Sequence, residues 1–270
     1  MFLDNFSVLK EKLEEAEFVL IGLGEEWQVT VEEMMQDVLF AQGYDKLEQC
    51  GMLEQGLPFL MKQYYEQAIP QSLEKAYGNL HDLLEGKNYF IVSMTMDSYL
   101  EKFHYDEKRY VNPCGNFTYL QCDLGCDEKL IPAKQLIPDF LQVINSIGSE
   151  GKLPEDLVCK ECGESMVFNN IYAGKYLEKG YLEQWDIYMR WLQKTVNRKL
   201  VILELGVGMQ FPTVIRWPFE KTVMYNQKAT IFRIHQNLPM LTQEIAKQGY
   251  SCQKNSVDVI STCKNESSSL

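Results

Sequence analysis

The run Phe18-Val19-Leu20-Ile21 passes straight into Gly22-Leu23-Gly24, and this stretch constrains the fold more than any other. A strand apolar at every position has to be covered on both faces, as in a parallel sheet flanked by helices. Ahead of it, Phe6–Ala16 carries apolar Phe6, Val8, Leu9 and Leu13 at the spacing of an amphipathic helix. The glycines allow a sharp turn at the strand end. In nucleotide-binding sheets such a turn lets the backbone approach a pyrophosphate that a side chain would exclude. The third glycine of the dinucleotide fingerprint is missing, because Glu25-Glu26-Trp27 follow. Taken alone, the motif therefore fits a plain strand-ending turn equally well.

The rest of the chain supplies the partners such a strand needs. Tyr89–Met94, Leu200–Leu205 and Ala229–Ile234 read as three further buried strands, and Val257–Ile260 as a last short one. Helical patterns separate them. Val29–Glu85 is helix-prone, with one apolar face at Val31, Met34, Met35, Val38 and Leu39. A second face runs through Leu60, Met61, Tyr64, Tyr65 and Ala68, and a third through Leu73, Ala76, Tyr77 and Leu80. These stripes read as core. Helices are also expected over Tyr181–Val196, over Phe211–Tyr225 with an interruption at Pro218, and over Met240–Gln248. Strands alternating with helices predict a doubly wound parallel α/β sheet.

Two clusters carry chemistry. Thr95-Met96-Asp97-Ser98 follows the second strand, at the edge where open α/β sheets place ligands, although Asp97 could equally cap the next helix. Cys122-x-x-x-Cys126 follows the short strand Phe117–Gln121, and Cys159-x-x-Cys162-Gly163 comes after a spacer broken by prolines and glycines. Two such knuckles suit a Cys₄ structural zinc site, and the alternatives are free buried thiols or an empty, degraded site. A net charge of −12 argues against nucleic acid or an anionic membrane surface as partner. No apolar stretch is long enough to span a bilayer. Met1-Phe2-Leu3-Asp4-Asn5 lacks the basic flank and apolar core of a signal peptide, which points to the cytoplasm.

The order of these parts resembles the sirtuin family, over nearly the whole chain. The local match lies at Gly115-Asn116-Phe117-Thr118-Tyr119-Leu120-Gln121-Cys122, where sirtuins lead from a His-Gly segment to the first zinc cysteine. Cys159-Lys160-Glu161-Cys162-Gly163 is similar to the second knuckle, and Gly206-Val207-Gly208 stands where the family has Gly-Thr-Ser. Ile231–His235 stands where the family has the strand that meets the adenosine.

The resemblance implies a Rossmann-like large domain (1–28, 86–115 and 173–262), a helical insertion (29–85), a zinc-ribbon small domain (116–172) and a disordered tail (263–270). It implies an NAD or ADP-ribose cleft lined by Gly22, Gly24, Glu25, Thr95, Asp97, Gly206, Gly208 and His235, beside zinc on Cys122, Cys126, Cys159 and Cys162. The family's catalytic His is replaced by Cys114, its Gln and Asn before the Asp are lost at Ser93–Asp97, and its arginine-bearing nicotinamide loop is absent. A thiol is a poor general base unless its pKa is lowered. Two readings follow. One is a nucleotide-binding or scaffold module, with a protein partner in the second case. The other is a divergent NAD-dependent transferase or hydrolase that uses Asp97, Cys114, Glu25 or Glu26 in altered roles.

Overall fold

The computed structural model describes residues 2–136 and 155–263. Helix α1 (Phe2–Glu15) leads into β1 (Phe18–Leu23), and helices α2 (Val31–Met34), α3 (Val38–Gln49), α4 (Leu53–Gln67) and α5 (Gln71–Leu84) carry the chain to β2 (Tyr89–Ser93). After α6 (Tyr99–Lys102) come β3 (Tyr110–Val111), β4 (Gly115–Cys122), β5 (Ile131–Pro132), α7 (Ala133–Leu136) and β6 (Met166–Asn170). The chain closes with α8 (Leu182–Gln193), β7 (Leu200–Leu205), α9 (Arg216–Tyr225), β8 (Ala229–Ile234), β9 (Gly249–Cys252) and α10 (Ser256–Ser261).

Two sheets result. Six strands pair in parallel in the order β3-β2-β1-β7-β8-β9, and β5-β4-β6 form a separate antiparallel sheet. Within the large sheet the order reverses between β1 and β7, which makes their C-terminal ends the switch point of a doubly wound fold. Alternate residues of β1 face opposite layers. Val19, Ile21 and Leu23 join a core with Leu9, Leu13, Tyr77, Leu80 and Ile260, whereas Phe18 and Leu20 join one with Tyr188, Trp191, Phe219 and Val223. Helices therefore cover both faces, as the unbroken apolar strands require.

Several expectations need correction. The apolar run Val257–Ile260 is not a strand but part of helix α10, capped by Asn255, whose side chain accepts the N–H groups of Val257 and Asp258. The edge strand is the preceding β9. Met240–Gln248 forms no α-helix; only a 3₁₀ turn occurs, at Ala246–Gln248. Pro218 does not interrupt the Phe211–Tyr225 segment. It sits in the first turn of α9, where a proline's missing N–H has no intrahelical partner to lose. The stripe from Val31 to Leu39 is not one face: the chain breaks between α2 and α3, Met34 is buried, and Met35, Val38 and Leu39 are exposed. Asp37 caps α3 through the N–H groups of Leu39 and Phe40. The tail from Lys264 lies outside the described residues, as does most of the spacer between the knuckles. Among the described residues no helix is long and apolar enough to cross a membrane.

Candidate functional site

At the switch point the two glycine turns press together. Gly24 donates its N–H to the Leu205 carbonyl, and a Cβ on Gly24 would fall 2.3 Å from the Gly206 carbonyl oxygen, so no side chain fits there. Gly206 has φ +64°, a left-handed conformation that favours glycine. Gly22 lies within β1 and faces Ile215 and Phe219, where it serves packing.

Glu25 and Glu26 fold onto the facing turn. Glu25 Oε2 accepts the Gly208 N–H at 2.5 Å. Glu26 Oε1 accepts the Gln236 N–H at 2.8 Å, and its Oε2 accepts both the N–H and the Oγ–H of Ser256 at 2.7 Å. Trp27 is fully buried and donates its indole N–H to Ser256 Oγ at 3.1 Å. His235 Nδ1 lies 3.3 Å from Glu26 Oε1, yet it also accepts the N–H groups of Asn237 and Leu238. Burial lowers the His235 pKa, and a ring whose Nδ1 is an acceptor is neutral, so this approach is no ion pair.

Beneath these turns lies an ionic network. Glu204 and Arg233, register partners on β7 and β8, meet at Nε–Oε1 2.6 Å and Nη2–Oε2 3.0 Å, both fully buried. Arg233 also binds Glu220 at 2.8 Å, while Arg216 donates to the carbonyls of Val207 and Leu238. Sequence reading passed over Arg216, Gln236 and Ser256; only the Asn255-Ser256 capping pattern offered a signal, that of a helix start.

Cys114 and Asp97 make none of the hydrogen bonds that hold the Glu25 and Glu26 carboxylates. Cys114 sits in the apolar layer with Val207 and Ile215; burial, aided by the charge of Glu25, pushes its thiol up to about 12. A thiol so held is protonated at neutral pH. Asp97 lines a cavity of about 150 Å³ with Lys62, Tyr65, Phe117 and Lys134, in which Glu25, Glu26 and Cys114 take no part. Its Oδ1 accepts the Tyr99 N–H at 2.9 Å at the start of α6, so the capping contact is present. Its Oδ2 is buried without a hydrogen-bond partner, as is the Tyr77 hydroxyl. Thr95 is buried and hydrogen-bonded to Ser93.

Burial raises the Asp97 pKa from 3.8 to about 7. The folded chain therefore holds this proton more tightly than the unfolded one, and stability falls as pH rises from about 4 to about 7. The total loss over that range amounts to on the order of 4 kcal/mol at most. Asp97→Asn is expected to flatten it, raising Tm relative to the parent at pH 8 and leaving pH 4 nearly unchanged. Thermal unfolding of both proteins at the two pH values checks this, and parallel profiles would refute it.

The four cysteines of the knuckles do converge. Their sulfurs all lie within 4.8 Å of one another, with Cys122–Cys162 and Cys126–Cys159 each at 3.5 Å and none in a disulfide. Four Zn–S bonds of ~2.3 Å at tetrahedral angles need sulfurs ~3.8 Å apart, so the set fits one zinc ion. Backbone N–H groups of Cys162 and Glu161 lower the Cys159 pKa, whereas the neighbouring thiols raise that of Cys126; a bound zinc would hold all four as thiolates. Four protein ligands leave no open position, so such a centre is structural.

No protein-family model matches the chain. Over 144 residues it is 30% identical to a probable bifunctional ADP-ribose hydrolase/ADP-ribosyltransferase of Fusarium oxysporum f. sp. cubense, a match covering 52% of this chain and 24% of that protein. Over 175 residues it is 24% identical to a protein ADP-ribosyltransferase of Staphylococcus aureus (strain Mu50 / ATCC 700699), covering 63% of this chain and 53% of that one. The chain thus spans about a quarter and about half of these curated relatives. Among solved structures, Sir2 in complex with the inhibitor EX-527, 2'-O-acetyl-ADP-ribose and a deacetylated p53 peptide is similar at TM-score 0.54 and 14% identity, covering 94% of this chain and 95% of that one. A Sir2 mutant with p53 peptide and NAD gives TM-score 0.53 at 11% identity, covering 94% of both chains. At such identities the likeness establishes the fold. With its parallel sheet, its glycine turns at the switch point and its clustered cysteines, the chain has the fold of the Sir2 structures.

Proposed function

We propose that this chain is a sirtuin-like nucleotide-binding module, whose switch-point crevice takes the diphosphate and ribose of NAD or ADP-ribose without classical protein deacetylase chemistry. One observation carries the reading: at the C-terminal edge of the sheet, backbone N–H groups of Gly208 after β7, Gln236 after β8 and Ser256 at the start of α10 meet the Glu25 and Glu26 carboxylates of the β1 turn. Donors of this kind, at the switch point of an α/β sheet, suit the oxygens of a phosphate. The relatives named for ADP-ribose chemistry, and the fold neighbours solved with NAD or an ADP-ribose ester, support the same ligand class. Cys114, buried and protonated, stands where the family has its base, which argues against deacetylation. The division into a large domain, a helical insertion and a zinc-bearing domain, and a cytoplasmic setting, belong to the same reading.

A second reading, ADP-ribosyl transfer to a protein, is favoured by the names of the two curated relatives. It would draw on Asp97, whose raised pKa and unpartnered oxygen suit an acid or base. The test pairs thermal shift with a nicotinamide-release assay. NAD and ADP-ribose at millimolar concentration are expected to raise Tm, since a ligand bound only by the folded state must stabilise it. Acetyl-lysine peptide is expected to give no nicotinamide. Rapid peptide-dependent release would overturn the proposal, and label transfer from NAD to a protein acceptor would favour the second reading.

A further inference from the structure

We infer that Glu25 and Glu26 act as an internal ligand that plugs the crevice, an autoinhibitory contact that an entering diphosphate has to displace. The inference rests on the nucleotide-site reading above. Its first support is the donor count. Three backbone N–H groups and the Ser256 hydroxyl at the switch point are taken by these two carboxylates, at 2.5–2.8 Å. Anions that bind without a cation in contact use such donors, so the plug and a diphosphate compete for the same bonds.

Space gives the second support. A Cβ on Gly208 would meet the Glu25 carboxylate at 2.9 Å, and one on Gly206 would meet Glu26 Cβ at 2.5 Å. The Glu25 carboxylate and the Glu26 side-chain stem therefore lie in contact with the β7 turn, on the side where a phosphate would approach it. Charge adds to sterics, because two carboxylates at this spacing repel a diphosphate through a partly buried medium. The plug also has a built-in order of release. Glu26 is held by three bonds and backed by Trp27, which is fully buried and bonded to the same Ser256 hydroxyl. Glu25 is held by one. A rotamer change at Glu25 frees the Gly208 N–H with the backbone in place, whereas moving Glu26 loosens the tie between the β1 turn and α10.

Isothermal titration with ADP-ribose and with inorganic pyrophosphate tests this on the parent and on E25Q/E26Q, which keeps the side-chain volume and an acceptor oxygen but removes the charge. A second variant, Glu25→Ala, frees the Gly208 donor and leaves the Glu26 ties intact; circular dichroism and Tm verify that each is folded. Both variants are expected to bind pyrophosphate and ADP-ribose at least tenfold more tightly than the parent. A gain for pyrophosphate alone upholds the plug and refutes the nucleotide reading. Tight ADP-ribose binding by the parent that weakens in the variants overturns the plug and keeps that reading. Folded variants that gain no affinity for either probe overturn the plug.

Discussion

Replacing Cys122 or Cys159 by serine is expected to unfold the β5-β4-β6 sheet and to release one zinc ion per chain. Among the described residues, few apolar side chains hold that sheet. β5 is two residues long, β6 five, and Val158–Ser165 adds only an isolated bridge. Its apolar contribution is a handful of side chains, among them Leu120, Met166 and Phe168, the last packed on Phe59 at 4.8 Å between ring centroids. A structural zinc centre contributes an apparent ~10–16 kcal/mol to folding of a small unit, far more than those side chains can. Cys122 and Cys159 are the buried pair, so serine there also places a polar hydroxyl in packed surroundings, whereas Cys126 and Cys162 are exposed. Metal analysis should find one zinc per chain in the parent and well under one in either variant. Limited proteolysis should cut the variants between residues 115 and 170 while the six-stranded sheet persists. A parent without zinc, or variants that keep it with the sheet protected, would defeat the assignment.

Arg233→Met is expected to destabilise the fold by about 3–5 kcal/mol, the range for breaking a buried ion pair by removing one partner. Glu204 is then left fully buried between β1 and β8, with Arg216 at 3.7 Å as its remaining cation and hence a value toward the lower end. The variant also strands Glu220 and the Met240 carbonyl, both of which Arg233 binds. The double replacement Glu204→Leu with Arg233→Met should regain part of the loss, because Glu204 no longer stands buried without its partner, while Glu220 still lacks Arg233. Urea unfolding of the parent, both single variants and the double variant gives the coupling directly. Additive losses would show that the two side chains act independently, against the geometry.

Much of this architecture was legible beforehand because it is local. The apolar runs in β1, β7 and β8 could only be buried strands, and the cysteine spacings already matched two knuckles, as the clustered sulfurs bear out. The two Gly-x-Gly turns marked the strand ends that meet at the switch point, and with the order of parts they carried the sirtuin resemblance. Short apolar runs were less informative. Val257–Ile260 is four residues long, too few to separate a period of 2 from one of 3.6, and its helical state depends on the Asn255 cap.

What the sequence determined is therefore the central strands β1, β2, β7 and β8, the two cysteine pairs and the fold they imply, since each follows from periodicity or spacing within one stretch. What only the tertiary structure decided is where the charged groups point. Glu26 reaches Ser256 across 230 positions of chain, Glu25 reaches Gly208 across 183, and Glu204 meets Arg233 across 29. A carboxylate's partner is fixed by which distant backbone the fold brings within hydrogen-bonding reach, and no local pattern of residues encodes that distance.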